Sequence, residues 1–160
     1  MKKTLLLLLI SYAFSSCIRL DNTPEDNQFK PVIVERSSFE KSIVLENPQT
    51  IMKSGKIYIK GDLMFINDVN KGFHVYDYSD PKNPVRLQFI KAPGATDLAI
   101  IDDVIYINQA VDLVTLTYNA ATKKIEITNR NKNVFPQKKS PNGFSAETKG
   151  NEIVIDWKYK

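Results

Sequence analysis

The chain has 160 residues, 42% of them hydrophobic and 25% charged, the make-up of one ordinary domain rather than a disordered, collagen-like or multi-span membrane chain. A single Cys and a single His exclude an intrachain disulfide, a structural zinc cluster and multi-histidine chemistry. The formal net charge is +4, falling to about +2 once Lys2 and Lys3 are removed with the leader described next, which makes no case for nucleic acid as a partner.

Lys2 and Lys3 precede the apolar run Leu5 to Ile10, which Tyr12, Ala13 and Phe14 continue to the small residues Ser15 and Ser16. A basic start followed by an apolar stretch of about ten residues, against the roughly 20 that cross a bilayer, predicts a signal peptide over residues 1–16. The only cysteine follows at once, and Phe14-Ser15-Ser16-Cys17 resembles a bacterial lipobox, with Phe14 in place of the usual Leu. The resemblance implies that Cys17 is acylated and becomes the first mature residue. Membrane lipid is then the first expected partner, since several acyl chains hold a protein where one holds only marginally.

Residues 17–30 carry Asp21, Pro24, Glu25 and Asp26 without apolar periodicity and read as a polar tether. Acidic residues after the lipid cysteine resemble the signals that send some lipoproteins of Gram-negative bacteria to the cell surface, so the expected location is the cell envelope, at the outer membrane or cell surface. A solvated linker carries the same residues. Val32 to Val34 and Ile43 to Leu45 then predict one or two strands, at the start of a β-rich domain over 31–160.

From Met52 onward, five- to seven-residue runs rich in Ile, Val, Tyr and Phe alternate with Gly, Asn, Asp and Pro, and nothing reads as an amphipathic helix. Asp62-Leu63-Met64-Phe65-Ile66-Asn67 matches Asp103-Val104-Ile105-Tyr106-Ile107-Asn108, 41 positions on, and Gly150-Asn151 before Glu152 begins a partial third copy. A period near 40 predicts an all-β fold of antiparallel propeller-like blades, about two and a half of them, as a partial or open propeller. The expected blades are 52–91, 95–135 and a partial one at 144–160. A plain meander or small barrel is the alternative. So short an array would leave an apolar, unpaired edge at Ile153 to Trp157, calling for self-association, another repeat protein or a longer parent chain.

Gly72-Phe73-His74-Val75-Tyr76-Asp77-Tyr78-Ser79-Asp80-Pro81-Lys82-Asn83-Pro84-Val85 resembles the LVIVD repeat: a Gly, an apolar strand ending in Asp, then Ser-Asp-Pro-x-x-Pro. Pro81 and Pro84 fix φ and withhold N–H donors until Val85. The second copy keeps the strand at Asp112 to Leu116 but replaces the proline turn with Asn119-Ala120-Ala121-Thr122. Resemblance to that family implies exported bacterial β-propellers without a defined activity.

Chemistry is sparse, and no catalytic residue, cofactor or metal site is expected. His74 sits mid-strand and reads as a satisfied cross-strand residue rather than a base. Asp102 and Asp103 are adjacent turn carboxylates that point apart, with Asp62 and Asp103 in the role of turn acids. Asp68, Asn70 and Asp112 are oxygen donors near turns but form no calcium loop. No glycine-rich phosphate cradle occurs, and Lys138-Lys139 between Pro136 and Pro141 reads as a solvated basic loop. Two function classes follow: a non-enzymatic module contacting a protein or glycan, and an enzyme or solute-binding lipoprotein with a pocket between repeats formed by Tyr76, Tyr78 and Asp97.

Overall fold

A computed structural model describes residues 27–160, so the signal peptide, Cys17 and most of the tether lie outside the described residues. The elements run β1 (Phe29–Glu35), α1 (Arg36–Glu40), β2 (Val44–Glu46), β3 (Ser54–Lys60), β4 (Leu63–Asp68), β5 (Gly72–Asp77), β6 (Val85–Lys91), β7 (Ala95–Ile101), β8 (Val104–Gln109), β9 (Asp112–Asn119), β10 (Lys124–Asn131) and β11 (Glu152–Tyr159). All strand pairs are antiparallel. The fold is all-β, as the alternating pattern predicts.

Two four-stranded meanders dominate. The first, β3-β4-β5-β6, gains β2 at its β6 edge, and the second is β7-β8-β9-β10. Their tight turns carry the expected backbone: Gly61 between β3 and β4 has φ 55°, and Asp102, 41 positions on between β7 and β8, has φ 52°. Asp102 therefore supplies the left-handed turn conformation that Asp tolerates better than most residues, and this is its role beside Asp103. Between β5 and β6, Asp77 Oδ1 accepts from Ser79 N and Asp80 Oδ1 from Lys82 N, so both acids fold the proline turn back on its own backbone.

One core lies between the meanders, built from Phe65, Phe73, Val75 and Ile90 of the first and Leu98, Ile105, Ile107, Val114 and Leu116 of the second. The repeat fixes how the sheets meet. Phe65 corresponds to Tyr106, yet Phe65 points into this core, whereas Tyr106 lies between Ile105 and Ile107 and so faces away. Equivalent residues thus sit on opposite sides of the contact. The sheets stack head to tail, the front of one on the back of the next, rather than as the two like faces of a symmetric sandwich.

The expected lone edge at Ile153 to Trp157 is not there. β11 pairs with β1 along its length, from Phe29↔Tyr159 to Glu35↔Glu152. Along β11, the Gln137 amide accepts from Val154 N at 2.9 Å and donates to Glu152 O at 2.8 Å, standing in for a neighbouring strand. Ile153 and Val154 are buried, and Phe39, Ala110, Val111 and Ile153 form a second small core. The unpredicted helix α1 exists to place Phe39 there; five residues are too few to carry an amphipathic period.

Candidate functional site

β2 and β3 lie at opposite edges of the five-stranded sheet, so residues 47–53 must cross it. Asp68, at the end of β4, receives this strap: its carboxylate accepts from Met52 N at 2.8 Å and Lys53 N at 3.0 Å. His74 Nε2 lies 3.2 Å from the same carboxylate, both side chains almost fully buried. Burial raises the Asp68 pKa, but the two N–H donors and His74 outweigh it and hold the carboxyl below its ordinary value. His74 packs against Phe89, its cross-strand neighbour, with ring centroids 4.7 Å apart. It is a satisfied cross-strand histidine.

A cleft of about 480 Å³ opens between this strap, the ends of β4 to β6 and the β1–β11 ribbon. Its apolar lining is Val32, Met52, Phe89, Pro93 and Ile155. Its charged lining is Glu46, Asp68 and Asp156 against Lys71, Lys91 and Lys158. The carboxylates are engaged within the protein: Glu46 by Lys91 at 3.0 Å and by Gln49, Asp68 by the strap, and Asp156 by Asn70 and by Trp157 N. An apolar lining among charges of both signs is chemistry that can hold an amphipathic ligand by contact.

The residues singled out from the sequence do not converge. Asp97 lines a separate surface groove with Tyr106, Asn108 and Phe135. It is hydrogen-bonded to the Tyr58 hydroxyl and pairs with Lys56 at 2.5 Å. Burial, followed by this carboxylate, pushes the Tyr58 pKa up to about 12, while Lys56 and Tyr58 outweigh burial and keep Asp97 below its ordinary value. Tyr58 pairs with Phe65 and Phe65 with Val75, so β5 lies two strands away from Asp97's partner. Tyr76 there accepts from Arg86 Nε at 3.2 Å, and Tyr78 follows on the turn. No described pocket joins Tyr76, Tyr78 and Asp97; alternation sends neighbouring strand residues to opposite faces.

The oxygen donors are likewise divided. Asp112 is fully buried, clasped by Arg36 Nη1 at 2.8 and 2.7 Å, Arg130 Nη1 at 2.9 Å and Asn133 N at 3.0 Å, while Asp68 holds the strap. Among the described residues no group of three or more His, Cys, Asp or Glu side chains could hold a metal ion. Lys138 corrects the expectation of a solvated loop. Its Nζ donates to Asn70 Oδ1, and burial lowers its pKa to about 8 against the opposing pull of Asp156. Lys139 is exposed, as expected. Nothing local in the sequence marks Lys138, because Asn70 is 68 residues away.

Stacked antiparallel meanders with a ligand-sized cleft define the class to which the chain belongs as an all-β protein. No protein-family model, no curated protein and no solved structure matches it.

Proposed function

We propose that this chain is an exported lipoprotein of the cell envelope, anchored through acylated Cys17 at the outer membrane or cell surface, whose domain is a non-catalytic, LVIVD-type, propeller-like module that binds a protein or glycan. The head-to-tail stacking of two meanders related by 41 positions carries the reading, since a blade array stacks front to back. Carboxylates already engaged by lysines, amides and backbone N–H groups support a binding role. The cleft itself favours a second reading, a solute-binding lipoprotein that holds a small amphipathic molecule.

Glycan and protein arrays probed with the mature chain, beside a hydrolase screen, test the proposal. Met52 is 80% exposed on the cleft rim, so Met52→Asp should abolish a cleft-dependent array signal without disturbing the fold. A signal indifferent to Met52→Asp removes the cleft from the proposal. Turnover lost on Asp97→Asn would replace the binding module with an enzyme.

A further inference from the structure

Ile57 and Ile59 are 59% and 56% exposed, an unusual position for two large apolar side chains on one sheet face. Their cross-strand partners are Ile66 and Met64, which places all four on the outer face of the first meander, away from the shared core. The repeat explains them. In the second meander Leu98 pairs with Ile107 and Ile100 with Ile105, so Leu98 and Ile100 occupy the positions of Ile57 and Ile59, 41 residues on. Leu98 is 5% exposed in the core between the sheets and Ile100 packs against that core. At its β3 edge the first meander thus presents outward the type of surface that the second presses against its neighbour, while Met64, His74, Tyr76 and Phe89 on the same face are buried.

The complementary surface is also open in part, with Phe135 lining it. Phe65, Asn67 and Phe73 of the first meander form the face on which the second sits, and their equivalents are Tyr106, Asn108 and Leu113. Those three line the groove of about 280 Å³ on the far face, beside exposed Ala99. Asn67 is 1% exposed and donates to Gly72 O at 3.2 Å, whereas Asn108 Oδ1 is shielded from water with no hydrogen-bond partner.

We propose that a second copy of this chain docks its Ile57–Ile59 face on the Ala99–Tyr106–Leu113 face of the first, continuing between molecules the head-to-tail stacking within each. The contact is heterologous, so it closes into a ring if the rotation per sheet allows and otherwise grows as an open array. The inference rests on the stacking and not on the binding role, and a failure of either leaves the other standing.

Two differently tagged copies of the intact chain, coexpressed, extracted in mild detergent and purified through one tag, test it. Copies carrying Ile57→Glu with Ile59→Glu should fail to co-purify with one another, as should copies carrying Ala99→Arg, each by about tenfold or more. One copy of each kind should still co-purify, because each retains the face that the other needs. A like-with-like contact cannot give that rescue, and loss without rescue, or co-purification of either variant with itself, overturns the proposal. Should a variant melt below the parent chain, oxidative cross-linking of Ile59→Cys in one copy to Ala99→Cys in the other reads the same contact. Within one chain those positions lie on opposite outer faces of sheets about 10 Å apart, beyond the roughly 7 Å a disulfide allows. Absence of that cross-link also overturns the proposal.

Discussion

Arg36 sets one guanidinium nitrogen between both oxygens of Asp112, 76 residues away, and thereby ties the helix after β1 to the first residue of β9. Arg130 reaches the same carboxylate, and both guanidinium groups lie over the Phe39 ring at 5.6 and 5.4 Å. Replacing Asp112 by Ala leaves two partly buried cations facing each other. The expected loss is about 3–5 kcal/mol, read as a lowered denaturant midpoint, whereas an effect under 1 kcal/mol would show the clasp to be incidental.

Acid should loosen the domain through the same residues. Asp68 and Asp112 both have folded pKa values below their ordinary ones, so their stabilisation is complete above about pH 4, the unfolded value, and is lost as pH falls through the depressed folded values. A urea titration between pH 6 and 2 should show stability falling mainly below pH 4. With Asp68→Asn that slope should become shallower.

Lys138 predicts the opposite limb. Its folded pKa of about 8 lies below the unfolded value near 10.4, so the unfolded chain holds the proton more tightly between those values and stability rises with pH across that window. Because the ammonium is only partly screened from water, the rise should be on the order of 1 kcal/mol rather than the full shift. Lys138→Gln should flatten it in melts recorded at pH 7.5 and 9.5; Lys139→Gln should not.

Gly72 is the most exacting backbone position. Its φ is 149°, and a Cβ there would lie 2.0 Å from Ile90 O, fixed in the β5–β6 pairing, and 2.9 Å from Ala92 N, held by Lys71 O. Gly72→Ala should therefore cost more than about 3 kcal/mol, shown by loss of a cooperative melt. Gly61→Ala, with nothing within 4 Å and φ 55°, should cost only the strain of its conformation, about 1 kcal/mol.

The proline turn gives a milder effect. Pro81→Ala and Pro84→Ala should each lower stability by about 0.4–1 kcal/mol by freeing the unfolded chain. A stability gain in chemical denaturation would mean that the turn strains these prolines.

Local pattern makes the strands legible, and the match of Asp62–Asn67 to Asp103–Asn108 marks β4 and β8 as equivalents. Partners across the chain were not legible. The pairing of β11 with β1 depends on two segments 116 residues apart at Glu35 and Asn151, and α1 depends on Asp112, so neither leaves a local signature. Tyr76, Tyr78 and Asp97 look like a set in one dimension because strand punctuation brings them near turns. Alternation and an intervening strand then separate them.

The β1–β11 ribbon also orders events in time. β1 is the first described strand to be made and its partner β11 the last, so at about 5–20 residues per second β1 waits roughly 6–25 seconds for its match. The two meanders, built from near neighbours, can close during that interval, while the loop joining the ribbon strands closes slowly and late. An interrupted synthesis therefore yields two folded sheets with Phe39 and Val34 unsheltered, a species that a protease or chaperone would recognise by what is missing at its end.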